Sequence, residues 1–414
     1  MKFFFPDSQD QIHPAFDFNT EEHPALRVRQ RDDLYAHEAL DGHVIDGLLV
    51  SKAIVDGTAG SAGKYTTAQR NRLYRMGVRR FFRLDQTSNS SVQTMGDCGA
   101  FSYIDEEIPP VTPDQVIDFY AECGFDLGIS VDHVIFGFDP AADTDLHRPH
   151  AEQWRSRQQL TLELADVFLA RSKARNVRFE PLGVAQGWSP ASYASAVRSL
   201  QKIGYRRIAL GGMVPLKTAE ILACLREVSV AREPGTQLHL LGITRCSNIS
   251  EFASYGVTSF DSTSAFRQAF KDDKDNYHAM DRTYTAIRVP QVDGLPKLKK
   301  QILAGNIDQG IAIQRERACL RALQEFDTGG GSARQVIDAL QRYNEITGLR
   351  TYHDAYLDVL TDTPWRSCPC SICTKAGINV ILFRGSERNK RRGFHNLYVF
   401  RRRLDRELNA RSAV

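Results

Sequence analysis

Asp261 closes a short apolar stretch, Val257-Thr-Ser-Phe260, and opens into the polar run Ser262-Thr-Ser264, with Arg267 six residues further on. A carboxylate delivered by the C-terminal end of a buried strand can act as nucleophile or as acid/base group, and an α/β barrel keeps its chemistry at that end. Taken alone, Asp261 serves equally well as a cap for the helix that follows. A second constellation is Cys368-Pro-Cys370-Ser-Ile-Cys373, with His395 beyond it. Three thiolates and one imidazole fill a tetrahedral site and leave no open position, so the expected ion is a structural Zn2+. Around it cluster Arg384, Arg388, Lys390, Arg391, Arg392, Arg401, Arg402, Arg403 and Arg406. In a chain with a net charge of only +3, that density predicts phosphate contacts, hence nucleic-acid binding.

These groups need a scaffold. Strand-like segments at 126–131, 177–185, 207–210, 237–242 and 257–260 alternate with helical patterns at 113–123, 151–174, 190–203 and 216–227. Upstream, 47–55 and 78–84 read as strands flanking a helix over 66–76. Strict alternation implies a parallel sheet, and the number of units fits a (β/α)8 TIM barrel better than an open sheet. Polar residues gather after these strands: Asp132, then Gln186 and Gly187, then Gly211 and Gly212, then Asp261. In a barrel all of them face one mouth. Gly57-Thr-Ala-Gly-Ser-Ala-Gly-Lys64 approaches a phosphate-binding loop, but Thr58 stands where the first glycine belongs and Tyr65 replaces the magnesium-binding hydroxyl. We therefore expect a surface loop there.

The expected organisation is an N-terminal arm over 1–45, a catalytic barrel over 46–290, a helical insertion over 291–360 and a zinc-binding subdomain with a basic helix over 361–414. The composition, 42% hydrophobic and 25% charged, is that of a globular protein. No apolar run approaches the roughly 20 residues of a membrane span. The scattered Cys98, Cys123, Cys224, Cys246 and Cys319 suggest reduced thiols and a cytoplasmic protein.

Taken together these residues resemble the tRNA-guanine transglycosylase family, from about Gly77 to the C-terminus with the insertion excluded. Asp97-Cys-Gly-Ala-Phe101-Ser is similar to the segment that carries that family's acid/base aspartate and a base-stacking phenylalanine. Asp126-Leu-Gly-Ile-Ser-Val-Asp132, Gly183-Val-Ala-Gln186-Gly187, Gly211-Gly212-Met213 and Phe260-Asp261-Ser262 with Arg267 match further segments in order, as do Cys368, Cys370, Cys373 and His395. The resemblance implies Asp261 as nucleophile and Asp97 as general acid and base. It implies Phe101 as stacking partner, with Asp132, Gln186 and the Gly211–Gly212 backbone along the base edge. Lys217 stands where bacterial members carry a glutamate that supports an aminomethyl cation; a lysine there favours the uncharged nitrile of 7-cyano-7-deazaguanine. His239 takes the place of a base-sandwiching tyrosine. The N-terminal Phe3-Phe-Phe-Pro-Asp-Ser-Gln-Asp10, Tyr65-Thr-Thr-Ala-Gln-Arg70 and the insertion resemble the DpdA branch, whose members act on DNA. The implied partners are DNA, guanine and the deazaguanine, with accessory modification proteins and a homodimer as further expectations and no membrane. A tRNA-modifying enzyme, a non-catalytic nucleic-acid-binding subunit and a nucleosidase share many of these features.

Overall fold

The computed structural model describes residues 1–58, 62–85, 89–350 and 352–412, with side chains as far as Asn409. Eight parallel strands close into a barrel: β1 (Lys2–Pro6), β2 (Gly47–Ser51), β3 (Gln93–Asp97), β4 (Leu127–Ile129), β5 (Glu180–Ala185), β6 (Arg207–Leu210), β7 (Gln237–Leu240) and β8 (Val257–Asp261). Helices Pro113–Cys123, Ala151–Ala174 and Pro190–Ile203 fall where their sequence pattern predicts. Ser189 caps the last of these by accepting from Ser192 N–H at 3.0 Å, with Pro190 in the first turn, where its missing N–H costs nothing. Phe4, Leu49, Met95, Leu127, Ile129, Leu182, Val184 and Ala209 fill the barrel interior, each from a strand. The interior is thus a packed core, and chemistry is confined to the rim.

Several expectations about the first hundred residues are corrected. The arm over 1–45 does not begin at the N-terminus, because Lys2–Pro6 is a barrel strand. Phe4 pairs with Gly47 on one side and with Asp261 on the other. The segment 78–84, read as a strand, forms the short helix Val78–Phe81 and a turn; its apolar side chains are buried in a helical geometry. The third strand is instead Gln93–Asp97, whose composition is too polar and glycine-containing to signal a strand. The first strand of the 47–55 segment stops at Ser51, and Lys52–Asp56 is helical. Ala59, Gly60 and Ser61 of the glycine-rich loop lie outside the described residues.

The chain divides into two compact units. The barrel unit comprises 1–9, 45–263 and 404–414. The second unit comprises 10–44 and 264–403. Its helices Pro296–Leu303, Gln309–Asp327, Ala333–Thr347 and His353–Asp362 occupy the region expected to be helical. The long helix Gly385–Ser412 carries His395 in its interior. Among the described residues no helix is long and apolar enough to cross a membrane.

Candidate active site and metal centre

Asp97 and Asp261 are the last residues of β3 and β8, with β1 and β2 between them in the ring. The register sets Asp97 beside Ser51 and Asp261 beside Phe4. Directly after Asp97 the chain turns sharply at Gly99, whose φ of +92° is left-handed. A Cβ there would sit 2.4 Å from that of Ala53. That turn starts the 3-10 helix Ala100–Tyr103 and leaves Phe101 56% exposed. Phe101 packs against Phe136, ring centroids 5.1 Å apart, and Phe136 is itself 39% exposed. Two large aromatic side chains left open to water above buried carboxylates are suited to receiving a flat apolar ring. The sequence alone did not single out Phe136; its place four residues beyond Asp132, on the loop after β4, is the signal that could have found it.

Burial raises the Asp97 carboxyl to about 7, and the nearby charges of Asp132 and Asp261 push in the same direction, while the Gly99 N–H and Ser51 partly offset them. The charges of Asp132 and Asp261 thus both bear on Asp97. Such a carboxyl can give and take a proton near neutral pH. Asp132 is buried, and burial likewise raises it, to about 6, against stabilising bonds from Gln186 and Cys98. Gln186 Nε2 donates to Asp132 Oδ2 at 2.6 Å and Cys98 Sγ to Oδ1 at 3.3 Å. Tyr103 Oη reaches both Cys98 Sγ at 3.1 Å and the Asp132 carbonyl at 3.2 Å. Cys98, treated in the sequence only as a scattered thiol, is thus a carboxylate-holding group.

The Gly211–Gly212 turn packs against the same residues. A Cβ on Gly212, φ +74°, would meet the Ile135 carbonyl at 2.4 Å and Gln186 Oε1 at 2.7 Å. Gly211 is also tied by its carbonyl to Tyr193 Oη at 2.7 Å. Met213 is buried behind this turn, and Gly187 is closed in by the Tyr193 ring and Ser192.

Asp261 is buried and bound from behind. Gly242 N–H donates to its Oδ1 at 3.0 Å, and His239 Nε2 lies 3.2 Å from the same oxygen. His239 Nδ1 meets Ser259 Oγ at 2.9 Å, and its ring stands edge-on to Phe4 at 5.7 Å. His239, at the position of the family's base-sandwiching tyrosine, is buried in the barrel and holds Asp261. Lys217 is exposed at the start of helix Thr218–Ala231, its N–H bonded to Glu220 at 2.7 Å. Arg267 is exposed on helix Ser264–Lys271 of the second unit, and among the described residues it makes no ion pair with the carboxylates.

In the second unit Cys368, Cys370, Cys373 and His395 form a group whose ligand atoms all lie within 4.8 Å of one another. The three sulfurs lie 3.5, 3.5 and 3.2 Å from His395 Nδ1. Those are close to the ligand–ligand edges of a tetrahedron with metal–sulfur bonds of about 2.3 Å and metal–nitrogen bonds of about 2.0 Å. His395 Nε2 donates to the His278 carbonyl at 2.7 Å, which turns Nδ1 toward the sulfurs. Tyr277 stacks on the imidazole at 4.1 Å and meets Cys373 Sγ at 3.4 Å. The group could hold a metal ion.

The basic cluster beside it is not the surface it was expected to be. Arg388, Arg391 and Arg392 are buried and consumed internally. Arg388 and Arg384 share Glu21, Arg384 also reaches Glu316 at 2.6 Å, and Arg391 pairs with Glu387. Arg392 bonds the carbonyls of Leu382 at 2.8 Å and Ala269 at 3.1 Å. Desolvation lowers it to about 9. Buried cations need such partners, so none of the three is free for phosphate. Arg402 is exposed over the Tyr398 ring, and Lys390 and Arg401 are partly exposed.

No family model matches the chain. Over 417 aligned residues, all of this chain and 98% of the relative, it is 47% identical to a protein from Salmonella montevideo named DNA-guanine transglycosylase.

Proposed function

The chain belongs to the DNA-guanine transglycosylase family, and from that premise we propose that it replaces guanine in DNA with 7-cyano-7-deazaguanine through a covalent aspartyl–sugar intermediate. The observation that carries this reading is that Asp97 and Asp261 each end a barrel strand at the C-terminal rim, with only β1 and β2 between them. Breaking a glycosidic bond needs a nucleophile at one face of the sugar and a proton for the departing base. Asp261, fixed by Gly242 and His239, attacks C1′ and forms an ester as the C1′–N9 bond breaks. Asp97, raised to about 7, gives its proton to the leaving guanine. It then takes one from the incoming base, whose nitrogen displaces Asp261. Two inversions return the original configuration, as in retaining glycosidases.

Phe101 and Phe136 receive the base ring. Asp132, steadied by Gln186 and Cys98, accepts from its N–H edge. On duplex DNA the guanosine must leave the stack to reach so recessed a pair of carboxylates, and the open aromatic pair offsets part of that cost. Lys217 at the neighbouring loop disfavours a cationic substituent and is compatible with a nitrile. Cys368, Cys370, Cys373 and His395 suit Zn2+, whose role with four protein ligands is to tie the loop before helix Ser371–Ala376 to the last helix. The test is mass spectrometry of nucleosides after incubating protein and 7-cyano-7-deazaguanine with DNA or tRNA. The expected product is the cyano-deazaguanine deoxynucleoside. Incorporation into tRNA alone, or release of guanine leaving a bare sugar, would replace this reading.

A further inference from the structure

The second unit contains a cavity of about 370 Å3 lined by the loop at Phe18–Asn19, one face of helix Gln309–Asp327 and the segment 378–388. The helix presents Arg317, Leu320, Arg321 and Gln324 to it, the i, i+3, i+4, i+7 stripe of a single face. The charges around it are arranged unevenly. Arg388, which lines the cavity, and Arg384 and Arg391, which do not, are matched by three carboxylates, Glu21, Glu316 and Glu387. Arg317 and Arg321 are exposed at the cavity, and among the described residues neither has an ion-pair or hydrogen-bond partner. The cavity therefore carries two uncompensated guanidinium groups, one helical turn apart, over an apolar side formed by Leu320 and Ile378. Its volume is in the range of small-molecule sites.

We propose that this cavity is a phosphate-binding site, Arg317 and Arg321 clamping one phosphate while Leu320 and Ile378 take the apolar face of the attached nucleoside. Guanidinium forks match phosphate oxygens two at a time, and two of them offset the charge of a terminal phosphate dianion or of adjacent strand phosphodiesters. The phosphate comes either from a DNA strand or from a free nucleotide. The site uses none of the residues of the Asp97–Asp261 mouth and does not depend on the exchange chemistry.

The experiment uses the full chain, with R317Q/R321Q as the test variant and R317K/R321K as the charge-keeping control. Thermal melting checks that each is folded. Deoxyguanosine 5′-monophosphate and a short single-stranded oligonucleotide are titrated separately. If the site takes free nucleotide, R317Q/R321Q weakens mononucleotide binding at least about tenfold, and oligonucleotide affinity is unchanged. If it takes the strand, oligonucleotide affinity falls, and the salt dependence flattens by roughly 0.7 for each phosphate no longer neutralised. In either case R317K/R321K retains part of the affinity. Unchanged binding of both probes by folded R317Q/R321Q overturns the proposal. Base exchange by the same variants is followed in parallel, so a failure of the exchange reading shows in wild-type protein and leaves the binding comparison intact.

Discussion

His239 and Asp261, on adjacent barrel strands, meet through Nε2 and Oδ1 at 3.2 Å, and Ser259 fixes the other imidazole nitrogen at 2.9 Å. A buried histidine whose two nitrogens are both engaged has one orientation, and it passes that orientation to the carboxylate. His239→Ala should therefore lower kcat with little change in KM. A displacement of about 1 Å at a nucleophile costs on the order of 100-fold. His239→Gln, which keeps one polar partner, should recover part of the loss. An unchanged kcat in a folded His239→Ala protein would show that Gly242 alone positions Asp261.

Asp97 gives the account its pH dependence. Its carboxyl is raised to about 7 by burial and by Asp132 and Asp261, against about 4 in an unfolded chain. Between those values the native state binds the extra proton, so this contribution to stability is full below about pH 4 and is lost as pH rises through about 7. Chemical denaturation of wild type and Asp97→Asn should diverge over that window, with the variant relatively more stable at pH 8. Guanine release in a single turnover should weaken above about pH 7, as the acid form disappears. A flat release profile from pH 5 to pH 9 would remove Asp97 as the proton donor.

The metal centre is tested by removal. Prolonged dialysis against a chelator should release one Zn2+ per chain and lower the melting temperature. Cys373→Ser should purify with little or no metal, because its sulfur is the one nearest His395 Nδ1, at 3.2 Å. Tyr277→Phe, which keeps the stacked ring and removes only the hydroxyl, should retain the ion. Stoichiometric zinc in Cys373→Ser would mean that the four residues are not the ligand set.

The arginines separate into two kinds. Arg384→Ala leaves the half-buried Glu316 without its cation and Glu21 with Arg388 alone, and should cost about 3 kcal/mol. Burial alone would raise Glu21, but Arg384 and Arg388 outweigh it and hold it near 2. That part of the stability is present above about pH 4 and is lost as pH falls toward 2. Arg402→Ala, at an exposed position, should change stability by no more than about 0.5 kcal/mol. Denaturant midpoints decide between them, and equal losses would contradict the burial argument.

These outcomes also mark what a one-dimensional reading can see. Alternating apolar runs and helical periods located β4 to β8 and most helices between them, because both signals are local. Lys2–Pro6 escaped notice because forty residues separate it from its nearest strand neighbour in sequence, and its pairing with Gly47 and Asp261 is long-range. Gln93–Asp97 escaped because its Gly96 is set by the Tyr120 ring, which approaches within 2.3 Å of where a Cβ would stand. Asp97, Asp132 and Asp261 were each recognisable as residues, but Cys98 and His239 acquire their roles only from partners on other strands. The arginines of the last helix were misjudged for the same reason. Their carboxylates arrive from Glu21 and from Glu387 one turn along the helix, while Phe394, Leu397 and Phe400, also on this helix, are buried with them.

The most direct test of the central claim is intact-protein mass spectrometry of enzyme mixed with a guanine-containing oligonucleotide, quenched in denaturant before the incoming base is added. The account predicts an adduct equal in mass to the oligonucleotide less guanine, mapped to Asp261, absent in Asp261→Ala and lost when 7-cyano-7-deazaguanine is added before the quench. An adduct that persists in Asp261→Ala, or base exchange by wild type without any trapped adduct, would contradict it.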